Sequence, residues 1–474
     1  MNDRRQFLAA GLAGLSSAWW VPTAAADDDP STLTHSKPIT RERVRVGFVG
    51  IGVKGWQHYR NLLHTPGVEM VAVCDILEGP VQKAQAACRT LGRPIPTGYT
   101  RGQTDFERMC GEENLDLVYT ATPWEWHVPV CLAAMNAGQH AATEIPAAIT
   151  EEDCWRLVDT SESTGRHLSM MENVNYRRDE LAVLKMVRDG ALGELIHAEA
   201  GYLHDTRYLK ARDYGDGLWL GAHHAARSGN LYPTHGLGPL AWNFNLGRGN
   251  RMEYLVSMSS KARGMNLYAR EHLPEGHPYR ERDYINGDVN SSLIQTAGGE
   301  SILIKHDTDL PRPYSRVNLV QGTRGIVRGF PRFLVSLETP ASSGRVDGAD
   351  YRPHHQSPRW DAVGDEVYER FDHPLWRSMQ RYVAAIPKTD AAATAGGFDL
   401  ASEVRQGDYT EDYRLVQALR RDIAPDYDVY DAADWSVVTA LSERSVANRS
   451  QAVDFPDFTR GKWKDRTPID LGNG

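Results

Sequence analysis

Two side chains that can carry protons, Tyr232 and His235, stand three positions apart in the segment Asn-Leu-Tyr-Pro-Thr-His-Gly-Leu-Gly-Pro at residues 230–239. Proline and glycine make the segment a rigid turn, so the phenol and the imidazole are presented together. Histidine titrates near neutral pH, and a tyrosine hydroxyl can donate or relay a proton. The segment therefore predicts a site of proton transfer. The alternative interpretation is a helix start with a structural histidine.

A glycine-rich segment, Gly-Ile-Gly-Val-Lys-Gly at residues 50–55, follows a short β-branched apolar run and precedes a helical pattern. A strand that turns through glycines into a helix points backbone N–H groups and the helix N-terminus at a pyrophosphate. Here Gly50 allows the turn, Gly52 leaves room for the phosphate, and Gly55 lets helix and strand pack closely. The segment predicts a dinucleotide site, with a purely structural turn as the alternative.

The next apolar run, residues 69–74, ends at Asp75, which stands 20 positions after Gly55. A carboxylate at this position accepts hydrogen bonds from an adenosine ribose, and its charge repels a 2′-phosphate. The sequence therefore predicts that the cofactor is NAD and not NADP.

The elements that position these residues follow from the order of apolar runs. From residue 43 to about residue 170, such runs alternate with helical patterns, which is typical of a doubly wound parallel sheet. Ligands gather at the carboxyl ends of these strands, so the loops after runs 115–121, 140–143 and 167–171 are expected to line the nicotinamide end. Closely spaced extended runs then predict an open, largely antiparallel sheet. The predicted fold class is α/β, with an N-terminal Rossmann domain and a C-terminal α/β domain that ends in helices.

The amino-acid composition excludes some classes of protein function. The chain has 474 residues, 41% hydrophobic and 24% charged, with a net charge of −9. These values are typical of a globular protein of two domains and argue against a nucleic-acid surface. The five cysteines lack C-x-x-C spacing, so we expect reduced, packed thiols without a disulfide or metal site. Beyond residue 26 no apolar run is long enough to cross a membrane.

The first 26 residues have the pattern of an export signal. Paired arginines, Arg4 and Arg5, precede a mildly apolar segment at residues 9–20 and three alanines at residues 24–26. This order resembles a twin-arginine signal and predicts a periplasmic or extracellular protein with no membrane contact after signal removal. A disordered tail with an accidental Arg-Arg pair is the alternative. The predicted organisation is a signal at 1–26, a leader at 27–41, an NAD-binding Rossmann domain at 42–172 and a substrate domain at 173–474.

Several motifs together resemble a known family. They are the 50–55 glycine segment, Asp75, Trp124-Glu-Trp-His127, Glu144-Ile-Pro146, Glu172-Asn173 with Tyr176, and Tyr232-Pro-Thr-His235. This set of motifs is similar to that of glycoside hydrolase family 109. The resemblance implies an NAD-dependent α-N-acetylgalactosaminidase of the glucose–fructose oxidoreductase and inositol dehydrogenase superfamily. The resemblance covers nearly all of the chain.

The resemblance implies three sets of site residues. Beyond the three glycines and Asp75, the NAD contacts would be Val53, Lys54, Trp124, Trp126, His127, Glu144, Ile145 and Asn173. The carbohydrate would contact Tyr202, Tyr232 and Tyr314 beside His235. His235 would act as a base, with Tyr176 and Tyr232 as proton carriers or enolate stabilisers. For the aromatic residues and His127, packing in the core or at a helix start is the alternative.

Two positions depart from the relatives. Most of the superfamily carries Glu-Lys-Pro where this chain has Glu-Ile-Pro, which counts against a plain sugar dehydrogenase because Ile145 replaces the lysine that assists hydroxyl oxidation. Relatives also carry a substrate arginine where Leu220 follows Trp219 here. We expect Arg227 to compensate for that arginine.

The resemblance implies a redox-assisted hydrolysis, an exception to the two-carboxylate scheme. Hydride leaves sugar C3 for bound NAD, the C2 hydrogen becomes acidic, the glycosidic oxygen is eliminated, water adds at C1, and the hydride returns. No net oxidation results. The alternatives are an NAD-dependent oxidoreductase of a sugar or cyclitol, a glycosidase for a different hexosaminide or anomer, and a non-catalytic sugar-binding protein. The open sheet offers a face or edge for a possible homo-oligomer.

Overall fold

The N-terminal half of the fold is a six-stranded parallel sheet. The structure, a computed structural model, describes residues 38–338, 360–362, 364–386 and 398–472. The sheet has the order β3-β2-β1-β4-β5-β6, and all five strand pairs are parallel. Its strands are β1 (Val44–Val49), β2 (Val68–Cys74), β3 (Thr97–Tyr99), β4 (Leu117–Thr120), β5 (His140–Thr143) and β6 (Leu168–Met170). This is the predicted doubly wound architecture.

Helices cover both faces of this sheet, which is why its strands are apolar on both sides. Val44, Val46 and Phe48 of β1 are fully buried. The Phe48 ring stacks on Tyr119 of β4 at 5.0 Å between centroids. The helices are α1 (Val53–His64), α2 (Glu78–Thr90), α3 (Asp105–Glu112), α4 (Trp124–Asn136) and α5 (Glu151–Thr164).

The C-terminal half is built on a nine-stranded sheet with the order β14-β13-β12-β11-β7-β10-β9-β8-β15. Strands β7 and β10 pair in parallel, and the other pairs are antiparallel. This confirms the prediction of a largely antiparallel sheet. Its strands are β7 (Leu195–Leu203), β8 (Met252–Ser259), β9 (Asn290–Thr296), β10 (Ser301–Asp307), β11 (Leu319–Gly322), β12 (Gly325–Arg328), β13 (Leu334–Leu337), β14 (Asp361–Ala362) and β15 (Val453–Asp454).

Helices of the C-terminal half pack on this sheet, on one another and on the Rossmann domain. They are α6 (Arg178–Arg188), α7 (Arg207–Lys210), α8 (Leu220–Ala226), α9 (Thr234–Asn243), α10 (Gly264–His272), α11 (Asp365–Phe371), α12 (Pro374–Ala385), α13 (Leu400–Gln406), α14 (Asp408–Arg420), α15 (Val429–Ser436) and α16 (Val438–Ala447). Short 3₁₀ turns occur at Asn173–Tyr176, Gly215–Leu218 and Lys462–Lys464.

Helix α14 returns to the N-terminal domain although it lies late in the chain. All of its side chains from Asp408 to Leu419 are buried. Three of its apolar residues share a core with strand β1, namely Leu415, Val416 and Leu419. The Rossmann core is therefore completed by a helix from the segment that we assigned to the substrate domain.

The predicted export signal at 1–26 and the leader up to residue 37 lie outside the described residues. Among the helices that are described, none has the length and apolarity of a membrane span. The five cysteines, Cys74, Cys88, Cys110, Cys131 and Cys154, are buried and unpaired.

Candidate active site

The glycine segment forms the tight turn between β1 and α1. Gly50 has a φ of +86°, and a Cβ there would lie 2.7 Å from the Ala121 carbonyl oxygen. A Cβ on Gly55 would overlap the Gly50 carbonyl oxygen, so strand and helix approach closely. A Cβ on Gly52 would meet no atom within 4 Å. No side chain caps α1, which leaves its first N–H groups available to a phosphate. The residues present therefore fit a dinucleotide.

Asp75 follows β2 and is tied to the same turn. Its Oδ2 accepts a hydrogen bond from the Ile51 N–H at 2.8 Å, and its Oδ1 accepts one from the Leu77 N–H at 2.9 Å. Each oxygen keeps a lone pair that a ribose hydroxyl can use. Ile76 and Leu77 are 60% and 61% exposed and line the adjoining cavity. We expect this apolar surface to pack against the adenine, a role that the sequence did not reveal.

A cavity of about 580 Å³ extends from the glycine turn into the C-terminal half. Residues that follow β1, β2, β4 and β5 line it, as expected for the carboxyl ends of parallel strands. Its size is that of a ligand site. The predicted site residues in its wall are Gly50, Gly52, Val53, Lys54, Asp75, Trp124, Trp126, His127, Glu144, Ile145, Tyr202 and Tyr232.

A row of aromatic rings crosses the cavity wall. Trp124 at the start of α4 lies 5.9 Å from Tyr232 and 5.2 Å from Trp219 between centroids. Tyr202 at the end of β7 lies 4.8 Å from Tyr232 and 5.4 Å from His235. The row brings the predicted sugar contacts together with the predicted base. Its ring faces are suited to the apolar faces of a carbohydrate.

Tyr314 extends this row by one ring, at 6.1 Å from Tyr202. Its hydroxyl oxygen accepts a hydrogen bond from Arg316 at 3.1 Å. Arg316 is buried and pairs with Glu180 at 2.6 Å. Because Arg316 already donates to the Tyr314 oxygen, the phenolic hydrogen remains available for a substrate oxygen.

His235, near the start of α9, is hydrogen-bonded to a carboxylate that we had not assigned to the site. Its Nδ1 lies 2.7 Å from Glu172 Oε1, and Glu172 is fully buried just after β6. A carboxylate at Nδ1 fixes the imidazole tautomer in which Nε2 carries the lone pair. In this tautomer Nε2 of His235 can accept a proton. We expected the loop after β6 to line the nicotinamide end of the cavity. No residue of this loop lines the cavity; the loop instead supplies Glu172, which contacts His235.

Glu144 is held ionised by two neighbouring cations, the buried His58 and the half-exposed Lys54. His58 Nε2 lies 2.8 Å from Glu144 Oε1, Lys54 Nζ lies 3.7 Å from the same oxygen, and the Ile145 N–H donates to Oε2 at 2.9 Å. Burial alone would raise the pKa of Glu144, but Lys54 and His58 outweigh it and hold the pKa well below its usual range. Glu144 is therefore a charged hydrogen-bond acceptor and not a general acid.

The buried tyrosines of the site are proton donors. Burial raises the pKa of Tyr232 well above its usual value, and nearby Glu144 acts in the same direction. Burial also raises the pKa of Tyr202, and Lys54 offsets only part of this rise. Both phenols are protonated at neutral pH and can donate a hydrogen bond to a sugar oxygen.

Six predicted site residues do not line the cavity: Gly55, Asn173, Tyr176, Arg227, His235 and Tyr314. Of these, His235 and Tyr314 still contact the cavity-lining ring of Tyr202. Arg227 forms two hydrogen bonds to Glu443, at 2.6 and 2.7 Å, and one to the Ile149 carbonyl at 2.8 Å. All of its contacts join α8 to neighbouring elements. This corrects the expectation that Arg227 takes over a substrate contact. Leu220 itself lines the cavity, so no arginine replaces it there.

Tyr176 and Asn173 also point elsewhere. The Tyr176 hydroxyl donates to Asp426 Oδ2 at 2.6 Å in the core, and burial raises its pKa well above the usual value. The Asn173 amide donates to the Gln406 carbonyl at 3.1 Å. Neither residue lines the cavity, which corrects the expected roles of Tyr176 in proton transfer and of Asn173 in cofactor contact. His127 does line it, but its two ring nitrogens face the Pro146 and Thr122 carbonyls at 2.7 and 2.8 Å, and it braces the loops.

A buried charged cluster lies behind Glu144. Within the described residues, His58, Asp408 and Glu411 form the one group whose spacing would suit a metal ion. The Lys54 ammonium already pairs with Asp408. His58 is bonded at both ring nitrogens, to Asp412 at 2.9 Å and to Glu144. We assign no metal here, because a side-chain cation already occupies the position.

Comparison with known proteins identifies the family. Residues 176–465 match the family model described as glycosyl hydrolase 109, C-terminal domain, and residues 44–172 match that of the oxidoreductase family, NAD-binding Rossmann fold. A glycosyl hydrolase family 109 protein of Shewanella putrefaciens is 43% identical over 478 residues, covering 99% of this chain and 98% of the relative. The chain belongs to glycoside hydrolase family 109.

A second relative supports the family, and a solved structure of low identity shares the fold. A relative from Shewanella oneidensis named alpha-N-acetylgalactosaminidase is 42% identical over 478 residues, covering 99% of this chain and 98% of its own. The structure of an inositol dehydrogenase homologue from Azotobacter vinelandii, complexed with NADH and myo-inositol, covers 89% of this chain and 100% of its own. Its TM-score is 0.59 at 16% identity, a likeness of fold. This family 109 glycosidase therefore contains an NAD-binding Rossmann domain at residues 44–172.

Proposed function

We propose that this enzyme hydrolyses terminal α-N-acetylgalactosaminides with a resident NAD. One observation carries the proposal: the His235–Glu172 pair adjoins Tyr202 and Tyr232 on a cavity that begins at the dinucleotide turn. The candidate base thus contacts two aromatic rings that line the cavity. The name of the Shewanella oneidensis relative supports the choice of sugar and anomer.

The residues divide into a base and hydrogen-bond donors. His235 Nε2 takes a proton from the sugar, and Glu172 stabilises the imidazolium that results. Tyr202 and Tyr232 donate hydrogen bonds to sugar oxygens as these gain negative charge. NAD, when bound, supplies reversible hydride transfer, so that hydrolysis needs no external oxidant. Asp75 supports NAD over NADP through ribose contact and charge repulsion.

An assay of hydrolysis and cofactor together tests this function. Purified protein is given aryl α- and β-N-acetylgalactosaminides and the matching galactosides and glucosaminides. We expect release of phenol from the α-N-acetylgalactosaminide and no build-up of NADH absorbance. Denaturation should release one dinucleotide, which chromatography identifies as NAD. Cleavage of another glycoside alone would replace the substrate assignment.

Two rival functions give different results in the same assay. A net sugar or cyclitol oxidoreductase accumulates NADH in proportion to the sugar consumed. A non-catalytic sugar-binding protein shows no turnover, and its His235→Ala variant keeps the sugar affinity of the wild type. Loss of turnover in His235→Ala with NAD still bound supports the glycosidase.

We also propose export by the twin-arginine route to the periplasm or beyond. The arginine pair, the apolar segment and the three alanines before the aspartates support it. A reporter that fluoresces in the periplasm only after folded export is fused to residues 1–41. We expect Arg4→Lys combined with Arg5→Lys to retain the reporter in the cytoplasm. Unchanged export in this variant would reject the route.

The open sheet supports self-association as a further proposal. Its outer face carries exposed apolar side chains on adjacent strands, Met258 and Tyr254 on β8 and Leu293 on β9. Leu293 lies beside Val256 and Leu303 in the registers of the neighbouring strands. Pairing of two such faces would bury this apolar strip. Light scattering should give a multiple of the monomer mass for the wild type and the monomer mass for Leu293→Glu; a monomeric wild type rejects the proposal.

A further inference from the structure

A second histidine–carboxylate pair lies in the cavity wall, apart from His235. His224 Nδ1 lies 3.1 Å from Asp309 Oδ2, and both residues are buried. The amine of Lys210, also fully buried, pairs with the other Asp309 oxygen. Burial alone would raise the pKa of Asp309, but Lys210 and His224 outweigh burial and hold this pKa well below its usual range. The ionised carboxylate therefore accepts the His224 Nδ1–H. Nε2 of His224 then carries a lone pair, and in the described part of the chain nothing bonds to it.

His306 stands beside this pair at the end of β10. Its ring lies 5.9 Å from the ring of His224, and both rings line the cavity. His306 is 1% exposed, yet its Nδ1 has no hydrogen-bond partner in the described part of the chain. Buried polar atoms are almost always bonded, so this nitrogen needs a partner that the described residues do not supply, either a ligand hydroxyl or a water. Burial lowers the pKa of His306 to about 3, and the ring is neutral.

The sheet register places His306 next to a predicted sugar contact. His306 on β10 and Tyr202 on β7 are direct partners across the parallel pair. Partners in adjacent strands project from the same face of the sheet, with Cβ atoms about 5 Å apart. Tyr202 in turn contacts Tyr232 and His235. His224 and His306 therefore adjoin the proposed sugar site and line the same cavity.

We propose that His224 and His306 form a polyol subsite that binds neutral hydroxyl groups of the glycoside. The subsite deepens, and rests on, the glycosidase function proposed above. His224 offers its Nε2 lone pair as an acceptor, because Asp309 already takes its N–H. The neutral His306 ring offers one N–H donor and one acceptor, which matches a hydroxyl group, itself donor and acceptor. Lys210 cannot hold an anionic substituent, since its three N–H bonds are used by the Thr308 carbonyl, the Thr308 hydroxyl and Asp309. Neutral hydroxyls are therefore the class of ligand that fits.

Two variants of His306 test the subsite. The His306 ring has no hydrogen-bond partner among the described residues, so His306→Leu should keep the melting temperature and the bound NAD of the wild type. It should raise KM about tenfold, the effect of one lost hydrogen bond. His306→Asn, whose amide can again bond a hydroxyl, should recover part of that loss. His272→Leu, at an exposed histidine of α10, is the matched control and should change neither quantity.

The substrate decides which hydroxyls are bound. A KM increase shared by an aryl α-N-acetylgalactosaminide and a disaccharide places the hydroxyls on the terminal sugar. An increase for the disaccharide alone places them on the leaving sugar. An unchanged KM for both substrates overturns the subsite, and so does a loss that accompanies lower NAD content or a lower melting temperature.

Binding separates this proposal from the proposed function. Ring ¹⁵N signals of labelled histidines are followed while N-acetylgalactosamine or methyl galactoside is added to the NAD-loaded protein. Shifts of the His306 and His224 signals support the subsite even where no glycoside is cleaved. Absence of shifts for both sugars overturns it, whatever the enzyme hydrolyses.

Discussion

Glu172 Oε1 lies 2.7 Å from His235 Nδ1, although the two residues are 63 positions apart in the chain. Glu172 follows the last strand of the parallel sheet, and His235 lies in the first turn of α9. The Tyr427 hydroxyl donates to the Glu172 carbonyl at 2.6 Å and helps to fix its backbone. The contact joins the Rossmann sheet directly to the substrate domain. It therefore positions the base of the second domain relative to the cofactor site of the first.

Replacing Glu172 by Gln should mainly affect turnover. The amide keeps the shape but cannot stabilise an imidazolium or enforce the correct tautomer, so kcat should fall by about 10²–10⁴-fold with little change in KM. Glycoside hydrolysis measured at saturating substrate checks this. Glu253→Gln, at an exposed residue of β8, is the control and should retain full activity. An E172Q enzyme with the wild-type kcat would remove the pair from catalysis.

Substitutions at Gly52 and Gly55 should have different effects, one on NAD binding and the other on folding stability. Gly52→Ala has room for its Cβ in the protein and should fold normally, but the methyl group intrudes where the phosphate binds, so bound NAD should fall. Gly55→Ala meets the Gly50 carbonyl and should lower the melting temperature. Nucleotide released on denaturation and thermal unfolding measure the two effects. Gly111→Ala, at an exposed helical glycine with free space, should leave bound NAD unchanged and should not lower the melting temperature. Equal NAD content in G52A and the wild type would contradict the assignment.

The charged form of His58 should stabilise the fold, and the free energy of unfolding should lose this contribution as the pH becomes alkaline. Burial disfavours its charge, but Asp412 and Glu144 outweigh burial and hold the pKa of His58 well above its usual value. A raised pKa stabilises the fold fully below the unfolded value of about 6.5, and the stabilisation is lost as pH rises through the folded pKa. The free energy of unfolding of His58→Gln should thus lie about 3 kcal/mol below that of the wild type near pH 6, with a smaller gap at alkaline pH.

Urea unfolding followed by tryptophan fluorescence at several pH values measures this gap. His272→Gln, at an exposed histidine, serves as the control and should track the wild type throughout. A gap between His58→Gln and the wild type that stays constant with pH would show that His58 is neutral in the folded protein.

Arg227 should prove structural. Its removal leaves the Glu443 carboxylate without its partner and the Ile149 carbonyl without a donor, so Arg227→Ala should lower the free energy of unfolding by about 2 kcal/mol. The KM for an aryl glycoside should stay within about twofold of the wild type. Arg444→Ala, which breaks an exposed pair with Glu151, should cost less than about 1 kcal/mol. A large rise in KM with unchanged stability would return Arg227 to the substrate site.

The local motifs of this protein are predictable because their signals are short-range. Gly50 needs a positive φ at the strand-to-helix turn, and Asp75 stands at a strand end that the apolar run before it marks. The alternation of strands and helices fixes the parallel sheet, and that sheet fixes the edge where the ligand binds. The sequence by itself therefore determined the Rossmann domain, the cofactor class and the family.

Side-chain partners were decided only by the tertiary structure. Glu172 meets His235, Arg227 meets Glu443 at a separation of 216 positions, and His306 meets Tyr202 across two strands. No local pattern carries these contacts, because each joins residues that are far apart in the chain and meet only when their elements pack together. Whether a polar residue faces a cavity or a buried partner depends on that packing. The same residue types, such as the tyrosines at 176 and 232, are thereby divided between core and site.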